Sequence, residues 1–71
     1  MEYFIAYKQN ENTYAYVTNI GVNIGTTIFY GSALNFITRE NAENVKEFLN
    51  EYDENHTYIV IEYEYHLREE A

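Results

Sequence analysis

The sequence predicts a small α+β domain: an antiparallel sheet of three to four strands with one helix packed on one face, in the order ββ(β)αβ. Three observations predict it. Two β-prone runs, EYFIAYK and TYAYVTNI, flank the polar cluster QNEN, the pattern of a hairpin. The stretch from Thr38 to Tyr52 repeats apolar residues at helical spacing. The run TYIVIEYEYHL then follows with strand alternation.

In the first run Tyr3, Ile5 and Tyr7 share one face and Phe4, Ala6 and Lys8 the other; in the second, Ala15 and Val17 oppose Tyr14, Tyr16 and Ile20. Neither strand has a clean polar face, so both faces are covered somewhere or the Tyr rings stay half exposed. Gly21, Gly25 and Gly31 punctuate the next stretch, where short strands are expected at Thr27–Tyr30 and Leu34–Ile37. The Gly21 to Gly25 spacing suits an ordinary turn better than a phosphate loop, because no Lys-Ser/Thr pair follows it. Thr38 is placed to cap the helix, with Ala42, Val45, Phe48, Leu49 and Tyr52 as its core stripe; Asn41 stands where a capping box would need Glu or Gln. In the last run Ile59, Ile61, Tyr63, Tyr65 and Leu67 face one way and Tyr58, Val60, Glu62, Glu64 and His66 the other. Such a strand is expected either in the centre of the sheet or in a dimer interface, since a bare edge would invite pairing.

Residues 1–71 make a single domain, near the lower limit for burying a self-sufficient core. With no Cys, neither a disulfide nor a thiolate metal site supports it, which leaves dimerisation as a common alternative. The start MEYFIAYKQ is neither a secretory signal nor a membrane span, so a cytoplasmic location is expected. Twelve Asp and Glu against four Lys and Arg give a net charge of −8, which argues against direct binding to nucleic acid or to an anionic membrane and for a basic partner. Nine Tyr and four Phe supply aromatic core material, arguing against disorder.

The acids are ordered. At about 100° per residue, Glu40, Glu43, Glu47, Glu51 and Glu54 fall within about 80° of arc opposite the apolar stripe centred on Val45. A solvated helix face accounts for acids in general. It accounts less well for their alignment, because like charges three or four residues apart each cost about 0.2–0.5 kcal/mol. The helix dipole favours Glu40 and Glu43 but disfavours Glu51 and Glu54. The ridge, extended by Glu62 and Glu64, is therefore the candidate partner-binding surface, fit to meet Lys and Arg clusters where another protein would otherwise hold phosphates.

No catalytic or metal-binding constellation is evident, and no cofactor is expected. His56 and His66, the two imidazoles, would lie about 33 Å apart along an extended strand. Ser32 is the lone serine, with nothing in its spacing to suggest a nucleophile activated by His. The expectation is a protein that is not an enzyme.

The run ALNFITRENAENVKEFL followed by YIVIEYEY resembles a pattern found in small, acidic, uncharacterised phage and prophage proteins of Gram-positive bacteria. The matching positions are Ala33, Phe36, Thr38, Glu40 and Ala42, and the resemblance covers the C-terminal half. It implies a phage-encoded inhibitor of a basic, nucleic-acid-handling host protein, of the anti-CRISPR or anti-restriction type, acting in the host cytoplasm by nucleic-acid mimicry. No functional residue carries over from it. The alternative expectation is a structural or assembly module that self-associates, as a possible homodimer, through the Tyr-rich last strand. A small-ligand binder using the Gly21–Gly31 segment is a third.

Overall fold

A computed structural model describes residues 2–63. It contains strand β1 (Glu2–Asn10), strand β2 (Thr13–Ile20), strand β3 (Ile24–Thr27), a single 3-10 turn (Tyr30–Ser32), helix α1 (Arg39–Tyr52) and strand β4 (Ile59–Tyr63). The four strands form one antiparallel sheet in the order β3-β2-β1-β4, with the helix on one face, an α+β fold. Among the described residues no helix is long and apolar enough to cross a membrane.

The first hairpin forms where the polar cluster places it. Asn10 turns the chain by accepting the Asn12 N–H at 3.0 Å, and β1 pairs with β2 as Ala6↔Tyr16, Tyr7↔Ala15 and Lys8↔Tyr14. The middle of the chain departs from expectation. The third strand is Ile24–Thr27, earlier than the expected Thr27–Tyr30, and residues 34–37 do not form a strand of their own. The physical cause is the irregularity in β2 between Val17 and Asn19, where the ladder to β3 slips by one residue and β2 diverges from β1. Residues 34–36 step into the space left behind. Leu34 N–H donates to the Val17 carbonyl at 2.9 Å, and Tyr3 and Phe36 exchange both backbone bonds, at 3.2 and 2.8 Å. Gly25 sits opposite the irregularity, where a Cβ would fall 2.0 Å from the Asn19 side-chain oxygen.

The helix begins as the sequence indicates: the Thr38 hydroxyl accepts the Asn41 N–H at 3.2 Å. Its buried stripe is narrower than expected. Ala42 and Leu49 are fully buried and Val45 half-buried, whereas Phe48 and Tyr52 are more than half exposed. The helix lies chiefly over β1 and β4, so the flank carrying Phe48 and Tyr52 overhangs the sheet. There the two rings stack on each other, and the Tyr52 hydroxyl donates to the Val22 carbonyl at 3.5 Å. The core between helix and sheet is Ile5, Val17, Leu49 and Tyr58, flanked by Tyr7, Ile24, Phe36, Val45 and Val60.

The other sheet face resolves the absence of a polar side in β1 and β2. Phe4 and Ala6 are buried there with no second helix among the described residues. The 3-10 turn folds Tyr30 over Phe4 at a ring separation of 6.0 Å, and Tyr16 and Tyr63 close around Phe4 at 6.2 Å each. These rings shield one another, and the Tyr30 and Tyr63 hydroxyls lie 3.4 Å apart, within hydrogen-bond reach. The last strand, expected either in the centre of the sheet or in a dimer interface, is not central: among the described residues β4 pairs with β1 alone, as Glu2↔Tyr63, Phe4↔Ile61 and Ala6↔Ile59, and so stands at the edge. The expected continuation through Glu64, Tyr65, His66 and Leu67 lies outside the described residues.

Candidate functional site

The outer face of α1 divides into two kinds of carboxylate. Because the buried centre of the helix is Leu49 and Ala42 rather than Val45, it is rotated by about 50° from its expected position. That rotation brings Glu43 off the ridge onto the flank facing β4. There Glu43 accepts from Lys46 at 3.0 Å and from Arg39 at 3.3 Å, and the Lys46 contact above all holds its carboxyl below the usual range. Arg39 spans the gap to the sheet and donates to Glu62 at 2.6 Å, with its guanidinium 5.5 Å from the centre of the Tyr3 ring. The hydrogen bond to Glu62 is the main reason its pKa is raised. Two of the expected partner-binding residues, Glu43 and Glu62, are thus already occupied in tying helix to sheet.

Glu40, Glu47 and Glu51 remain on the helix face as expected; Glu54 does not, because α1 ends at Tyr52 and the extended backbone of its C-cap Asp53 (φ −116°, ψ 102°) takes the chain off the helix, leaving Glu54 in the turn that follows. All four are exposed, and none has an ion-pair partner among the described residues. Glu47 and Glu51 follow one another at a spacing of four residues, about 6 Å apart along the axis. Both cations of the helix, Arg39 and Lys46, sit on the β4 flank, so none is left to neutralise this face. Glu64 lies outside the described residues.

A second cluster was not anticipated. Asp53, the C-cap of α1, accepts the Tyr58 hydroxyl at 2.7 Å and the His56 ring nitrogen Nδ1 at 2.9 Å through Oδ2, and the Asn55 N–H at 3.0 Å through Oδ1. These bonds, the one from His56 first, lower its pKa from 3.8 to about 2. The carboxylate therefore fixes the imidazole with its proton on Nδ1. Burial first, and Asp53 second, push the Tyr58 phenol well above its ordinary value, so it remains a donor. Tyr7 stacks on the His56 ring at 3.9 Å. Together with Val22, Asn23, Ile24, Thr26 and Tyr52, these side chains line an open cleft of about 550 Å³.

Chemically the cluster is a clamp on the turn from α1 into β4. Asn50 completes it: its side chain donates to the Tyr58 carbonyl at 3.1 Å and accepts the Tyr58 N–H at 2.7 Å, standing in for a neighbouring strand. The one legible signal was an Asp at a helix end followed by Asn two residues later, the pattern of a side-chain turn. The stack on Tyr7 depends on long-range pairing that local spacing does not reveal. The Gly21–Gly31 segment supplies one wall of the cleft, through Val22 to Thr26, and none of its glycines adopts a left-handed backbone.

No family model, curated protein or solved structure matches this chain.

Proposed function

We propose that this chain is a small binding protein that occupies a cationic surface on another protein through the outer face of α1. The observation that supports this reading is charge segregation. Glu40, Glu47, Glu51 and Glu54 stand exposed and unpaired among the described residues, while Arg39 and Lys46 are spent on the opposite flank. Solubility alone favours mixed signs on a surface. A single-sign ridge keeps internal repulsion that a basic partner would relieve.

The spacing of the bare acids is of the order of the phosphate repeat of a nucleic-acid strand, which is about 3.4 Å along the axis per nucleotide. A protein groove built for phosphates is therefore the surface this ridge fits best. In the phage setting that the sequence pattern implies, such a protein is a nucleic-acid-handling host enzyme and the chain is its inhibitor. The test is capture of proteins from a bacterial lysate at low and at high salt, with excess duplex DNA as competitor. Capture that weakens with salt, is displaced by DNA and is lost in the triple variant Glu47→Lys/Glu51→Lys/Glu54→Lys supports the reading. Capture that survives the triple reversal overturns it. Glu43 is left out of that variant, since reversing it would break its contacts with Arg39 and Lys46.

A further inference from the structure

Among the described residues no strand pairs with the outer edge of β4, and the backbone there has a specific pattern. Tyr3 exchanges its backbone bonds with Phe36, on the side of β1 away from β4. By the alternation of an antiparallel ladder, Tyr3↔Glu62 and Ile5↔Val60 are then the pairs without mutual hydrogen bonds, and Val60 and Glu62 direct their N–H and C=O groups outward. Tyr58 has the same parity. Its two backbone groups are already taken by the Asn50 side chain, which closes the edge at that end. Within β4 the edge thus presents two N–H and two C=O groups, on Val60 and Glu62, with Ile61 midway between them.

This pattern is self-complementary. We propose that β4 pairs antiparallel with β4 of a second copy about a two-fold axis at Ile61. In that register Val60 faces Glu62 of the other copy and exchanges both bonds with it, and the reverse pair does the same, so all four outward groups are satisfied. Ile61 meets its own symmetry mate as the close pair without hydrogen bonds, on the sheet face that carries Phe4, Tyr16, Tyr30 and Tyr63. The two-fold keeps that aromatic face continuous across both sheets and sets both helices on the other side.

Charge does not bar a second copy at this edge in spite of the net −8 of each chain. The flank of α1 that overlooks β4 is balanced, with Arg39 and Lys46 against Glu43 and Glu62 in direct contact. The unpaired acids lie around the helix from it. Local repulsion is therefore small, and the remaining long-range repulsion is screened over about 8 Å at physiological ionic strength. This pairing goes beyond the binding role proposed for α1 and uses a different surface. The two respond to salt with opposite sign: the dimer tightens as salt rises, whereas an acidic face releases its basic partner.

The test is sedimentation equilibrium of the full chain up to about 1 mM, where even weak association is visible, at low and high salt, with amide hydrogen exchange read residue by residue. The expected result is a monomer–dimer equilibrium favoured by salt, with the Val60 and Glu62 amides gaining protection as concentration rises. Glu62→Pro removes one outward N–H per copy without touching a backbone bond to β1, gives up the Arg39 contact as well, and is expected to be folded by circular dichroism and monomeric by sedimentation. If that variant does not fold, Ile61→Lys places two like charges across the axis and leaves the backbone intact; it too is expected to be monomeric. A monomer at every concentration, a dimer weakened by salt, assembly beyond two copies, or a dimer that persists in a folded Glu62→Pro or Ile61→Lys variant overturns the proposal.

Discussion

Asn50→Ala removes both hydrogen bonds between the Asn50 amide and the backbone of Tyr58, 3.1 Å to the carbonyl and 2.7 Å from the N–H. Tyr58 is 2% exposed, so its backbone groups have little water to replace them. A buried polar group left unpaired costs about 1–3 kcal/mol. Two such groups at the margin of a sheet, where a little water can enter, put the loss at about 2–3 kcal/mol. At about 0.05–0.15 kcal/mol per residue the whole domain is held by about 4–10 kcal/mol, so this one side chain carries a large share. In a domain of this size the loss lowers Tm by about 8–24 °C. With a urea dependence of about 1 kcal/mol per molar, the unfolding midpoint falls by about 2–3 M. Far-UV circular dichroism in urea and on heating measures both. A variant within about 0.5 kcal/mol of the parent would show that Asn50 does not serve as the strand's surrogate neighbour, and would leave the edge of β4 open from Tyr58 onward.

Three further outcomes follow from the same contacts. Leu49→Ala empties the centre of the core, where Leu49 is fully buried against Ile5, Val17 and Tyr58; a loss of about 2–5 kcal/mol is expected, read as a lowered urea midpoint. Glu51→Lys turns the repulsion from Glu47, four residues earlier on α1, into attraction, so urea unfolding is expected to show a gain of about 0.4–1 kcal/mol while capture of a basic partner weakens. For Asp53 the sign follows from a folded pKa of about 2 against an ordinary 3.8. Its stabilisation is complete above pH 3.8, declines as the pH falls and is gone below about 2. Asn at position 53 should therefore flatten the urea midpoint across pH 4 to 2 and lower it near neutrality.

Local pattern made much of this fold legible. The hairpin, the Thr38 cap and the alternation that sends Tyr58 and Val60 inward and Ile59, Ile61 and Tyr63 to the other face all follow from short-range rules, and the structure contains them. The third strand was misplaced because the slip in β2 at Thr18 has no signature in composition. It changes which segment borders β1, and so converts 34–36 from a strand into an insert. Phe48 and Tyr52 read as core because helical spacing identifies a stripe but not how far the opposing sheet extends beneath it. The ridge was legible as an alignment of acids. The departure of Glu43 and Glu62 from it was not, because that depends on the rotation of α1 over the sheet and on Arg39 reaching across to β4. The Asp53, His56 and Tyr58 cluster joins a helix end to a strand start through a turn whose path the sequence does not state.

The bare acids of α1 are best judged by titrating a captured basic partner with the parent chain and with Glu47→Lys/Glu51→Lys/Glu54→Lys, each shown by circular dichroism to be folded. Exposed ion pairs contribute up to about 1 kcal/mol each, so losing three is expected to weaken binding by about a hundredfold. The parent's affinity is also expected to fall as salt rises from low to physiological strength. Equal affinity of the two chains, or an affinity indifferent to salt, would contradict the assignment of this helix face as the binding surface.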